Sequence, residues 1–248
     1  MRLAIVLAVI LVAGCSAAGP AESTVAPTLA PTTAISSAPT AMPTRTPKLE
    51  GVADKTQEKL TVWESDYYVY AQVVAEINNT GGDWVEILRP SSEYTIYAED
   101  GSVTETGMFL YAYPPYVAPG EKGYLCDTAI IEGGVAAAAK VEVDVHYRTV
   151  NAPGIVLTVS AVKLIPRGEG FVASAIVKNP SSADQVRNAA AAVIIFGAND
   201  ALLGCTSTNL IENLSPGESK GFETAWETPP LKQSAIKRFA AFAADASW

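Results

Sequence analysis

The chain has 248 residues, of which 49% are apolar and 17% charged, enough to bury a sizeable core in one or two domains. Its formal charge of −9 disfavours a nucleic-acid role, because a net-acidic surface repels phosphate backbones. One His and three Cys are too few for two four-ligand Cys/His zinc sites, and neither a metal nor another cofactor is expected. The charge is also uneven: net +2 over residues 1–49, −11 over 50–150 and zero over 151–248, a shift that marks modules with different surfaces.

The amino terminus reads as an address. Met1-Arg2 gives a positive start, and Leu3 to Val12 is an unbroken apolar run of ten residues. A helix spanning a bilayer of about 30 Å needs about 20 residues, so the run has the length of a signal-peptide core instead. Leu11-Val12-Ala13-Gly14-Cys15 follows, and it resembles a bacterial lipobox. The resemblance implies a diacylglyceryl group on the Cys15 thiol, cleavage just before it, and anchoring by two or three acyl chains to the extracytoplasmic side of a membrane. Residues 1–15 are thus assigned to the signal and lipobox.

Residues 16–50 are dominated by Ala, Thr, Ser and Pro, with prolines at 20, 27, 31, 39, 43 and 47. Proline removes backbone donors and no apolar face recurs, so this stretch is expected as a disordered tether. At about 3.1 Å per residue, some 30 extended residues reach on the order of 100 Å. Beyond residue 50 the pattern changes to period two. In Tyr68–Asn78, positions Val69, Ala71, Val73, Ala75 and Ile77 share one strand face. Val141–Arg148 alternates with Val141, Val143, Val145 and Tyr147 inward and Glu142, Asp144, His146 and Arg148 outward. Turn signals separate such runs at Asn79-Thr80-Gly81-Gly82, Glu99-Asp100-Gly101 and Pro119-Gly120. Val52–Leu60 offers a short helix and Val135–Ala139 a helical turn.

The second half repeats the first. Leu60-Thr61-Val62 matches Leu157-Thr158-Val159, and Ala75 to Asn79 matches Ala175 to Asn179. Ile96-Tyr97 matches Ile195-Phe196, and Ala118-Pro119-Gly120-Glu121 matches Ser215-Pro216-Gly217-Glu218. A period near 100 residues fits a self-sufficient unit with six or seven short strands, the count of an antiparallel sandwich. The expected fold is all-β, with two tandem antiparallel β-sandwiches over 51–149 and 150–248.

Each copy also resembles the FxLYD-type domain of bacterial envelope lipoproteins. The resemblance rests on the strand ending near Asn79 or Asn179, on Tyr94–Gly101 or Val193–Asp200, and on Val117–Glu121 or Leu214–Glu218. Neither copy opens its middle element with Phe or places Asp directly after its aromatic residue. The resemblance covers about residues 60–245 and implies an Ig-like fold with no catalytic residues.

The chemistry-bearing residues read mostly as surface. His146, the single imidazole, falls on the outward face of its strand among Glu142, Asp144 and Arg148. Gly217-Glu218-Ser219-Lys220-Gly221 fits G-x-S-x-G, but a nucleophile elbow needs a strand before it and a helix after it. Here Pro216 precedes and a strand-like run from Phe222 follows. The acids of the first copy lack the D-x-D-x-D-G spacing of a calcium loop. Cys126 and Cys205 align to different strands of different copies, so they are expected as two separate thiols. A bridge would have to cross between copies with Cα atoms within about 7 Å. Tyr111, Tyr113 and Tyr116, flanking Pro114-Pro115, form the candidate ligand site; alternation puts Tyr111 and Tyr113 on one face. They offer flat amphipathic area for a sugar or peptide, or else they pack between sheets or between copies. The expected function is that of a non-catalytic, lipid-anchored binding or scaffold protein with a protein or glycan partner in the cell envelope.

Overall fold

A computed structural model of the chain describes residues 52–246 apart from 66, 133, 209, 210, 226 and 227. The lipobox and tether readings, Cys15 included, lie outside the described residues. The first half supplies ten strands. They are β1 (Ala53–Ser65), β2 (Tyr68–Asn79), β3 (Trp84–Ile87), β4 (Glu93–Tyr97) and β5 (Val103–Met108), then β6 (Ala112–Tyr113), β7 (Tyr116–Val117), β8 (Lys122–Ile131), β9 (Lys140–Asp144) and β10 (Tyr147–Val150). The second half supplies β11 (Thr158–Arg167), β12 (Gly170–Lys178), β13 (Val186–Phe196), β14 (Leu202–Ser207), β15 (Ile211–Leu214), β16 (Ser219–Glu223) and β17 (Arg238–Asp245). Among the described residues no helix is long and apolar enough to cross a membrane.

All pairing is antiparallel and stays within a half. The first half holds a sheet β1-β2-β8-β6 and two short sheets, β10-β3-β7 and β5-β4-β9. The second holds β11-β12-β16 and a sheet in which β13 pairs with β14, β15 and β17. The sheet order corresponds between the halves: β1, β2 and β8 match β11, β12 and β16. The long strand β13 does alone what β3 and β4 do in two pieces, since Leu88–Ser92 interrupts the first copy with a cis Arg89–Pro90 bond.

The repeat extends to side-chain hydrogen bonds. Asn79, fully buried, donates from Nδ2 to the carbonyls of Asp83 and Val117, and its Oδ1 accepts the Gly81 N–H. Its backbone receives Gly120 N–H and gives its own N–H to Glu121. Asn179, also fully buried, does the same with Asp184, Leu214, Ser181, Gly217 and Glu218. The Pro-Gly turn closes onto this asparagine in both halves, and Gly120 (φ 78°) and Gly217 (φ 75°) supply the left-handed conformation it needs.

Three apolar clusters lie between the sheets. One fills the first half, with Val73, Ala75 and Ile77 of β2 and Leu125 of β8 against Ile87, Ile96, Val141 and Val143. Another fills the second half, with Val177 of β12 against Ala189 and Ala191 of β13, Leu214 and Ala243. The third joins the halves: Val74, Tyr113 and Tyr124 pack on Ala190, Ala192, Ile194, Phe196 and Ala244. The molecule is therefore a stack of sheet layers in which β13, and β2 over residues 71–77, are buried on both faces. Alternate residues of β13 serve two cores, which accounts for its run of small side chains, Ala189 to Ala192. The described residues all belong to one compact unit.

Two expectations are corrected here. Val52–Leu60 is not a helix: its polar residues lie along β1, which pairs with β2 along its whole length, and that pairing overrides local propensity. Val141–Arg148 is not one strand. It breaks at Val145-His146, where the chain leaves β4 for β3, and Tyr147 is exposed on β10 rather than inward. The face of β2 opposite Val73 is buried from Gln72 to Glu76, where the second half covers it, and open at Tyr68. Val135–Ala137 forms the expected helical turn, a single 3-10 turn.

Candidate functional site

Tyr111, Tyr113 and Tyr116 do not form one platform. Tyr113, on β6, is 1% exposed and sits in the core between the halves. Tyr111 lies beside it on the same face, with ring centroids 6.3 Å apart, and the Arg89 guanidinium stands 5.8 Å from its ring. Arg89 Nη2 in turn donates to the Asp245 carbonyl at 2.5 Å, so this group ties the first half to β17. Tyr116 belongs to β7 on the opposite layer, half-buried, with its hydroxyl donating to Glu86 at 3.4 Å. Of the two roles open to these residues, packing between layers describes Tyr111 and Tyr113.

The two cysteines meet. Cys126 of β8 and Cys205 of β14 form a disulfide with Cα atoms 6.5 Å apart, across 79 residues of sequence. The expectation of two separate thiols is thereby overturned. The cysteines occupy non-equivalent strands, yet face-to-face stacking brings the outer face of β8 onto β14. Two glutamines of the first half grip the same edge strand. Gln72 Oε1 accepts the Cys205 N–H at 2.8 Å, and its Nε2 donates to the Cys205 carbonyl at 3.0 Å and to Thr128 at 3.1 Å. Gln57 accepts the Leu202 N–H and donates to the Asp200 carbonyl, both at 3.3 Å. Side-chain amides thus occupy backbone groups that an edge strand otherwise presents to another chain. Arg238 completes the seam: its guanidinium lies 3.6 Å from the Phe196 ring centroid and donates to Asp200 at 2.6 Å, which holds the Asp200 carboxyl below its ordinary range.

His146 and Ser219 are far apart in the topology. His146 is exposed between β9 and β10, beside Asp144 at 3.2 Å. Ser219 is the first residue of β16 in the second half, with a strand rather than a helix after it. Among the described residues no group of three or more His, Cys, Asp or Glu side chains is arranged to hold a metal ion.

Burial governs the tyrosine chemistry. Tyr94 donates to Asp127 at 2.7 Å inside the first half, and burial with the adjacent carboxylate drives its phenol far above the ordinary value. Burial does the same to Tyr113, and it pushes Tyr124, near Glu76, up to about 12. Each folded value lies above that of the unfolded chain, so their contribution to stability is complete below pH 10.0 and is lost as pH rises beyond it. In an alkaline titration followed by phenolate absorbance, we expect these three rings to ionise only as the fold opens. A single reversible phase for all ten tyrosines, with the circular dichroism unchanged, is the contrary result.

The sequence reading missed a second aromatic cluster, at the β1–β2 hairpin. Trp63 stacks on its cross-strand partner Tyr70, with centroids 5.4 Å apart and planes 21° apart, and Tyr68 meets Tyr70 edge-on at 6.3 Å. Ile130, exposed, lies opposite Tyr70 on β8, and Tyr67 at the turn is 97% exposed. The run Tyr67-Tyr68-Val69-Tyr70 carried the signal, since Tyr68 and Tyr70 occupy the face opposite Val69. No protein-family model matches this chain, and no curated protein matches it.

Proposed function

We propose that the protein is a non-catalytic, lipid-anchored binding or scaffold protein on the extracytoplasmic side of a bacterial cell envelope. In this reading Cys15 carries the lipid, residues 16–50 form the tether, and 51–149 and 150–248 are tandem Ig-like modules of FxLYD type. The observation that carries the reading is the Cys126–Cys205 disulfide in a chain whose amino terminus reads as a lipobox. Disulfides form and persist in oxidising compartments, which agrees with export. The stacking of the halves on a shared apolar core, with a disulfide across it, suits a body that presents surfaces rather than one that closes around a substrate. A second reading, carbohydrate binding, draws support from exposed aromatic rings at the β1–β2 hairpin rather than from residues 111–116.

The test is metabolic labelling with an alkyne fatty acid in an expressing bacterium. We expect the wild type to take up label and to fractionate with membranes, and Cys15→Ser to lose both properties. Unlabelled wild-type protein recovered from the cytosol would sink the anchor reading.

A further inference from the structure

The outer face of the sheet β1-β2-β8-β6 is only partly covered by the second half. Along β2 the cover ends abruptly: Gln72 is 2% exposed beneath Cys205, whereas Tyr68, four residues away on the same face, is 53% exposed. Past that boundary the face carries a cluster of aromatic and apolar side chains. Trp63, Tyr70 and Ile130 stand in register on three neighbouring strands, Tyr68 flanks Tyr70, and Tyr67 projects from the turn. With strands about 4.8 Å apart, the row spans on the order of 10 Å, and the step from Tyr70 to Tyr68 adds roughly 7 Å along the strand. That is the footprint of one or two hexose rings.

We infer that this hairpin face is a binding site for a neutral glycan, whose C–H-bearing ring faces pack against the aromatic side chains of Tyr67, Tyr68, Tyr70 and Trp63. The inference deepens the carbohydrate reading above and rests on it. Two properties select the occupant. The side chains of Trp63, Tyr67, Tyr68, Tyr70 and Ile130 carry no formal charge, and the half that holds them has a net charge of −11 over residues 50–150, so an anionic bilayer surface or an acidic polymer is repelled while an uncharged sugar is not. Aromatic side chains combine a large apolar face with a polar edge, which is what a sugar ring presents in return. The hydroxyls of Tyr67, Tyr68 and Tyr70 have no protein partner among the described residues, so they are available to sugar hydroxyls. The position suits presentation as well. Ala53, where β1 begins, pairs with Asn79, while Trp63 lies ten residues along β1 toward its other end, about 33 Å away at about 3.3 Å per residue.

The experiment titrates the full chain with two neutral probes, cellohexaose and chitohexaose, by calorimetry and tryptophan fluorescence. Vesicles of phosphatidylcholine, with and without phosphatidylglycerol, serve as the comparison. We expect saturable binding of at least one hexasaccharide, weakened about tenfold by Trp63→Ala and at least threefold by Tyr67→Ala/Tyr68→Ala, and unchanged by Tyr147→Ala on the far layer. The double tyrosine variant truncates exposed side chains, so it keeps the test decisive where Trp63→Ala impairs folding. Absence of binding to both sugars, wild-type affinity in the double tyrosine variant, or binding to vesicles alone overturns the inference. Cys15→Ser should bind the sugars as the wild type does, so failure of the lipid anchor and failure of the glycan site give different results.

Discussion

Reducing the Cys126–Cys205 disulfide, or replacing both cysteines by serine, is expected to destabilise the fold by about 2–4 kcal/mol, the usual range for a native bridge. Loop-closure entropy for 79 residues gives an upper value of about 4.5 kcal/mol. For a body of this size each kcal/mol corresponds to roughly 2–4 °C, so the melting temperature should fall by about 5–15 °C. Gln72 bonds both backbone groups of Cys205, and the apolar core between the halves stays in place, so the seam should loosen without separating. Thermal melts with and without reductant check the size of the change, and hydrogen exchange at Cys205 checks its location. An unchanged melting temperature in fully reduced protein would contradict a stabilising bridge.

Asn79→Ala and Asn179→Ala are expected to cost about 2–4 kcal/mol each. Either change removes two donated bonds and one accepted bond at a fully buried site and leaves carbonyls unsatisfied. Because each asparagine ties its own Pro-Gly turn to its own strand ends, the damage should be local. Exchange protection should drop first around Gly120 in one variant and around Gly217 in the other. Denaturant melts give the magnitude, and equal, global loss of protection in both variants would argue against independent repeats. Asn→Asp at either site should be nearly as damaging, since a carboxylate cannot donate to the two carbonyls.

These asparagines also show how much the sequence disclosed. Both close a matched strand segment before a Pro-Gly turn, and the similar offsets of the matched segments are visible in the residues alone, as is the alternation that makes the chain all-β. Period two, however, reports only one buried face per strand. Gln72 and Glu76 are polar residues on the other face of β2, yet both are buried, and nothing local announces that a second sheet lies over that face. The disulfide was hidden for the same reason: repeat alignment compares equivalent strands, and stacked sheets bring non-equivalent ones together. Tyr113 looked available for a ligand because it lies beside Pro114-Pro115 and shares a strand face with Tyr111, and only the layer above it decides its burial. Trp63 and Tyr70 lie on the partly covered stretch of that same face, so the two aromatic groups exchange roles once the covered area is known.

The covalent link between the halves also decides how the molecule bears tension. A pull arriving at the amino end and resisted beyond residue 205 passes through the sulfur atoms and bypasses the 79-residue loop they close. That loop holds β9 to β13, including β12 and β13 that face each other across the second-half core, and it cannot be drawn out while the bond stands. Under load the residues between the two cysteines add nothing to the extension, which caps the length to which the protein can be drawn.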